Sequence, residues 1–225
     1  MATISENIQQ LRGRIATACE QAGRPVQSVT LLVVSKTFPA DAVREAFAAG
    51  EHRFGENYVQ EGVAKIQALD ELRARIEWHL IGPLQSNKTR VVAESFDWVH
   101  SVDRLKIAER LSEQRPAELP PLDVCLQVNI SAEPSKSGLL PADVPALAAQ
   151  VAALPRLRLR GLMAIPEPGP GARAQHQAMA ALFAGLQAGG LPVDTLSLGM
   201  SADLEDAIAA GSTMVRVGTA IFGAR

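Results

Sequence analysis

The feature that most limits the fold is a regular alternation of short apolar runs with helical patterns, beginning at Thr30-Leu31-Leu32-Val33-Val34. That first run is β-rich and unbroken, as expected of a strand buried on both faces. Further strand patterns cover residues 53–55, 78–81, 98–101, 124–129, 160–164, 195–198 and 214–217. Helical spacing fills the gaps at 40–49, 59–69, 87–95, 105–114, 142–154, 174–188 and 204–210. Gly50 and Gly211 follow two of these helices, where a left-handed residue closes the last turn. Eight strands with intervening helices predict an α/β protein, a single-domain (β/α)8 TIM-type barrel over residues 1–225. A doubly wound open sheet is the alternative, because strand order cannot be read from the pattern. An extra helix precedes the barrel: Ile8, Leu11, Ile15 and Cys19 recur at helical spacing after a Ser5 cap, and Gly23 with Pro25 ends it. Pro166-Glu167-Pro168-Gly169-Pro170-Gly171 reads as a loop rather than a domain linker.

Composition removes several function classes. A chain of 225 residues can bury one substantial core. Its formal net charge of -2 leaves no basic footprint for nucleic acid. Nothing approaches the run of about 20 apolar residues that a membrane helix needs. The N-terminus is polar and lacks the basic and apolar regions of a signal peptide, so the expected location is cytoplasmic. Cys19 and Cys125 lie far apart and read as small buried hydrophobes. The four histidines show no metal-ligand spacing, and no metal is expected.

In such a barrel, sites gather at the C-terminal ends of the strands, and phosphate sites commonly follow strands seven and eight. The first strand stops at Ser35-Lys36-Thr37, which puts an amine at its C-terminal end. Gly199-Met200-Ser201 follows the seventh strand, and Arg216-Val217-Gly218-Thr219 closes the eighth. A lysine, an arginine and two small-residue loops are the parts needed to hold pyridoxal phosphate (PLP). Lys36 would form the Schiff base, Arg216 would face the pyridine nitrogen, and backbone amides with the Ser201 and Thr219 hydroxyls would take the phosphate.

Each of these residues also has a plainer reading. A lysine after a strand is most often a solvated loop residue, and a reactive amine needs a pKa below the ordinary value of about 10.4. Arg216 sits inside an apolar strand and needs a partner, either the pyridine nitrogen or a barrel carboxylate such as Glu56. Ser201 can instead cap the next helix, with Asp203 favourable in its first turn. Asn57, His79, Ser101 and Asn129 end the second to fifth strands and together can line one rim. His79, between Trp78 and Leu80, fits a satisfied core histidine as well as a ring contact.

Long stretches of the chain resemble the pyridoxal phosphate homeostasis protein family. Among them are Val34-Ser35-Lys36-Thr37, Phe54-Gly55-Glu56-Asn57-Tyr58-Val59-Gln60-Glu61 and Trp78-His79-Leu80-Ile81-Gly82-Pro83-Leu84-Gln85-Ser86-Asn87-Lys88. Others are Ser135-Lys136-Ser137-Gly138, Gly199-Met200-Ser201-Ala202-Asp203 and the highly specific segment from Gly211 to Gly223. The resemblance implies a fold type III barrel like the cofactor domain of alanine racemase, with PLP on Lys36. It implies phosphate contacts at Ser201, Gly218 and Thr219, and Arg216 at the pyridine nitrogen. Asn57 and His79 at the strand ends and Met200 in the loop after the seventh strand are expected as further cofactor contacts. Leu80 and Leu198 stand where the family has Phe and Met, which puts pocket shape in question but not cofactor binding.

Three functions remain open on this reading. The chain is a PLP carrier or reservoir in vitamin B6 homeostasis affecting amino-acid balance, a PLP-dependent amino-acid racemase, or a phosphate-binding barrel enzyme without PLP. Two-base racemisation needs an acid/base group on each face of the cofactor. In the racemase that the chain resembles, the second is a tyrosine from another domain. Here no second domain is expected, and the only tyrosine, Tyr58, begins a helix. The carrier is therefore the expectation, as a monomer, with apo PLP-dependent enzymes as partners and Lys136 as a rim residue that either assists transfer or is simply solvated.

Overall fold

The computed structural model describes residues 2–133, 136–167, 169 and 171–223. Ser135, Pro168 and Pro170, in two loops read from the sequence, lie outside them. Eight strands form one closed parallel barrel: β1 (Thr30–Val34), β2 (Arg53–Glu56), β3 (Glu77–Leu80), β4 (Trp98–Val102), β5 (Leu122–Val128), β6 (Leu157–Ala164), β7 (Thr195–Ser197) and β8 (Met214–Val217). They pair in sequence order, and β8 returns to β1 with Leu32 opposite Arg216 and Val33 opposite Val217. That closing pair decides the barrel over the open sheet.

The helices α1 (Ile4–Gln21), α2 (Ala40–Ala48), α3 (Val59–Ala68), α4 (Thr89–Ser95), α5 (Leu105–Gln114), α6 (Val144–Ala152), α7 (Ala172–Ala188), α8 (Leu204–Ala210) and α9 (Thr219–Phe222) accompany the strands. α1 is capped by Thr3, not Ser5. The Thr3 hydroxyl accepts from the Glu6 amide at 3.2 Å, and the Glu6 carboxylate accepts from the Thr3 amide at 2.7 Å. This reciprocal pair satisfies two otherwise unbonded donors, so Ser5 falls inside the first turn. β6 starts three residues earlier than the pattern suggested, because buried Leu157 and Leu159 alternate with exposed Arg158 before the fully buried stretch begins. The short α9 has too few residues to show a period and is not legible in the pattern.

Two apolar layers result. The larger lies between strands and helices, where Phe54 and Trp78 pack with ring centroids 5.9 Å apart, both fully buried. The smaller, Trp98, Cys125 and Met163, lies inside the barrel. Each large side chain removed from water contributes roughly 1.5–3 kcal/mol. Cys19 and Cys125 are both buried and free, and burial holds the Cys125 thiol far above its usual value, so both act as small hydrophobes. The barrel interior is also unusually polar: His79, His100, Ser197 and Arg216 are all buried there.

One glycine shows how tightly the strands meet. Gly161 in β6 has φ +153°, and a Cβ on it would stand 1.8 Å from the Thr195 carbonyl oxygen of β7. Backbone cannot yield as a side chain can, so Gly161→Ala is expected to destabilise the protein by about 3 kcal/mol. Urea unfolding would show it as a lower midpoint with the slope unchanged.

Candidate functional site

Seven of the eight residues expected at the site converge on one cavity of about 160 Å³ at the C-terminal mouth. Lys36 approaches from the end of β1, Asn57 from β2, Met200 and Ser201 from the loop after β7, and Arg216, Gly218 and Thr219 from β8. Val34, Ile81 and Ile165 supply apolar wall. A larger cavity, about 820 Å³, opens at the opposite mouth, but its arginines and carboxylates are already engaged with one another, as in Arg73–Asp97 at 2.8 Å and Arg53–Glu77 at 3.1 Å. The chemistry converges at the smaller cavity.

The Lys36 backbone is clamped on both sides by a buried ion cluster. The Ser35 hydroxyl donates to Glu56 Oε1 at 2.6 Å, and the Ser35 carbonyl accepts from Lys65 Nζ at 2.6 Å. Lys65 Nζ also donates to Glu56 at 2.8 Å and Glu61 at 2.7 Å, and Glu61 accepts from the Thr37 amide. Thr37 is held at φ +66°, a costly conformation for a β-branched residue and of the kind that collects at functional sites. Glu56 is fully buried; burial raises its pKa, against the lowering effect of Lys65. Beyond the turn, Phe38 stacks on Phe222 of α9 at 4.7 Å. The sequence reading missed Lys65 and Glu61 in this role. Their only signal was the i,i+4 spacing of opposite charges on α3.

Arg216 does not pair with Glu56, which Lys65 occupies. Its guanidinium instead donates to the Ser197 carbonyl at 2.6 Å, the Ser197 hydroxyl at 2.7 Å and the Ala164 carbonyl at 2.8 Å. Among the described residues it has no carboxylate within ion-pair distance. Burial pushes its pKa down to about 10, which still leaves it charged at neutral pH. Neutral oxygens thus hold a cation against the cavity wall.

Asp203 is turned away from the cavity. Its carboxylate accepts from the Met200 amide at 2.7 Å and meets His176 Nε2 at 3.0 Å, which orders the loop carrying Ser201. Burial opposes its ionisation, and these two hydrogen bonds prevail, so its pKa is lowered. Asp203 rather than Ser201 stands at the N-cap position of α8. Gly218 approaches β1 so closely that a Cβ would lie 2.6 Å from the Val34 carbonyl oxygen.

His79 is the expected contact that the geometry withholds from the cavity. It is a core histidine, with Nε2 on Glu77 and Nδ1 on His100, each at 2.9 Å, and its ring stacked on Trp98 at 5.0 Å. Asn129 also leaves the rim, since its side-chain amide donates to the Glu133 and Lys136 carbonyls and folds the loop after β5. Ser101 is buried at the irregular end of β4.

Fold and site together define a barrel of the alanine racemase type, and residues 3–225 match the family described as alanine racemase, N-terminal domain. The pyridoxal phosphate homeostasis protein of Pseudomonas aeruginosa is 62% identical over 225 residues, covering 100% of this chain and 97% of that protein. The chain therefore belongs to the pyridoxal phosphate homeostasis protein family. PipY of Synechococcus elongatus, in its structure with PLP bound, superposes with a TM-score of 0.85 at 40% identity, covering 98% of this chain and 100% of that one. Alanine racemase of Corynebacterium glutamicum is similar in fold alone, with a TM-score of 0.68 at 18% identity, and the match covers 99% of this chain and 61% of that one.

Removing Lys65 would leave Glu56 buried without its cation. Lys65→Ala is expected to destabilise the protein by about 3–5 kcal/mol. Chemical denaturation of the variant beside Glu61→Gln, which loses only a half-exposed partner, would give the much larger drop to Lys65→Ala.

Proposed function

We propose that this chain binds pyridoxal phosphate in the cavity at the C-terminal mouth and serves as a single-domain, monomeric carrier or reservoir of the cofactor in the cytoplasm. The observation that carries the reading is the convergence of Lys36, Arg216 and the Ser201, Gly218 and Thr219 loops on one small cavity. The relatives' names and the PLP-bound PipY structure support it.

The residues fit the cofactor. An amine on a clamped turn suits condensation with an aldehyde, in which the carbonyl oxygen would leave as water. Arg216 cannot accept a hydrogen bond and keeps its charge, so it suits a ring nitrogen that stays unprotonated. Ser201 and Thr219 offer hydroxyls beside Gly218, and the only nearby carboxylate of the loop, Asp203, faces elsewhere. When bound, the cofactor supplies an electron-accepting ring. The protein's own part is to hold the aldehyde carbon at Lys36, fix the ring with Arg216 and Asn57, and anchor the phosphate.

Turnover of amino acids is not part of this reading. Racemisation needs a second acid/base opposite Lys36. The sole tyrosine, Tyr58, is 58% exposed at the start of α3 and lies outside the cavity wall. Donation by Arg216 also weakens the ring as an electron sink. A chiral assay with alanine at high protein concentration tests this, and rates near the enzyme median of about 10 per second, abolished by Lys36→Ala, would establish the racemase instead.

Borohydride reduction and peptide mapping are expected to place the pyridoxyl group on Lys36, and a fully yellow Lys36→Ala protein would reject that assignment. Each hydroxyl lost in Ser201→Ala and Thr219→Ala should weaken cofactor binding by roughly 1.5–3 kcal/mol. An unchanged dissociation constant in the double variant would put the phosphate elsewhere.

A further inference from the structure

A continuous chain of side chains crosses the barrel interior from the N-terminal mouth to Arg216. Glu77 lies at the start of β3, with its side chain 37% exposed in the wall of the 820 Å³ cavity. Its Oε1 is 2.9 Å from His79 Nε2, and His79 Nδ1 is 2.9 Å from His100 Nε2. His100 Nδ1 is 3.2 Å from Ser197 Oγ, which accepts from Arg216 Nη1 at 2.7 Å. Four hydrogen bonds on β3, β4, β7 and β8 thus join a carboxylate to a guanidinium through groups that are almost wholly buried.

Chemistry fixes the direction of every bond. Arg216 can only donate, and an ionised Glu77 can only accept. Burial lowers the pKa of both histidines, His100 far below the usual range, so at neutral pH each ring has one donor and one acceptor nitrogen. Glu77 stays ionised: burial raises its pKa, but the hydrogen bond from His79 and the nearby Arg53 more than offset that. His79 must then carry its proton on Nε2, which leaves Nδ1 to accept from His100 Nε2–H. His100 Nδ1 in turn accepts the Ser197 hydroxyl, whose oxygen keeps its lone pairs for Arg216. No ring nitrogen or hydroxyl is left unbonded. The opposite tautomers would set a ring lone pair against the Glu77 carboxylate.

Arg53 from β2 shares Glu77 Oε1 at 3.1 Å, Asp97 ahead of β4 acts on His79, and Arg160 of β6 lies over the Trp98 ring at 4.7 Å. These groups hold the far end in a charged setting, while at the near end the cation's hydrogen-bond partners are neutral oxygens and Asp203 acts on it only from beyond contact. Aligned hydrogen bonds in a low-dielectric interior polarise one another, so a change at one end is felt at the other.

We propose that Glu77, His79, His100 and Ser197 are positioning residues, a one-way hydrogen-bond relay that orients Arg216 toward the cofactor ring from the opposite mouth of the barrel. This rests on the reading of the C-terminal cavity as the PLP site. The relay reaches the cofactor only through Arg216; His79 and His100 touch neither the cavity nor its contents.

Histidine 15N NMR of the cofactor-free protein tests the relay without any ligand. Both buried rings are expected in the neutral, Nε2-protonated form at about pH 7–8, above the ordinary histidine pKa. A proton on Nδ1 of either ring, or a charged ring, would overturn the relay. With PLP bound, Glu77→Gln should move the visible absorption band of the cofactor, while the exposed control Glu94→Gln should leave it in place. A band in Glu77→Gln superimposable on wild type would show that nothing is transmitted and would also overturn it. Ser197→Ala should weaken PLP binding about tenfold, the size of one charge-assisted hydrogen bond. Should the wild-type protein show both Nε2-protonated rings yet take up no PLP, the relay would stand and the proposed function would fail.

Discussion

The pairing of β8 with β1 is the contact on which the rest depends. The two strands are separated by most of the chain, and their register sets Leu32 beside Arg216 and Val33 beside Val217. Lys36 and the Gly218–Thr219 turn then leave the same seam of the barrel and face one cavity. Gly218 carries no side chain because the Val34 carbonyl passes where a Cβ would be. An open sheet would leave these two strands at separate edges, and Lys36, Arg216 and the Gly218–Thr219 turn would not meet.

Closure also creates an interior in which polar groups must be satisfied or excluded. The protein does this in two separate networks. Around Lys36, the Lys65 ammonium bridges Glu56 and Glu61 and thereby pins Ser35 and Thr37, so the turn's left-handed threonine is held by charge as well as by packing. Around Arg216, neutral carbonyls and the Ser197 hydroxyl take the donors, so the cation remains exposed to the cavity in an electrostatic sense. A carboxylate in place of Ser197 would neutralise Arg216 and remove the reason for placing a guanidinium there. Burial of an ion pair is weak evidence for stability, because desolvation opposes the attraction. Here the pairs are better explained by what they orient.

How much of this could be read beforehand differs by element. The strands and most helices were legible, since a fully buried strand is a continuous apolar run and an amphipathic helix keeps its period. Boundaries moved where a local rule was invisible: Thr3 with Glu6 outcompeted Ser5 for the α1 cap, and the Leu157–Arg158–Leu159 alternation lengthened β6. Lys36, Ser201, Gly218 and Thr219 were legible because they end strands in a fold whose sites lie at strand ends. His79 was ambiguous for a good reason. Its neighbours in sequence said core, its place near a strand end said rim, and only the distances to Glu77 and His100 decide for the core.

The alternation of elements, the apolar layers and the strand-end residues with chemistry to offer are written in the chain, because periodicity and strand ends are local properties. Which partner each charge takes was settled by packing across the closed barrel. From the sequence Glu56 was a partner for Arg216; it lies instead with Lys65 because α3 packs back over β2, while Arg216 points to Ser197 across the β7–β8 seam. The same holds for the chain from Glu77 to Arg216, whose five members come from four strands and, apart from the alternate pair Glu77 and His79 on β3, share no spacing in the sequence. Hydrogen bonds act over about 3 Å and depend on direction, so they are settled by the register of closure and not by the order of residues.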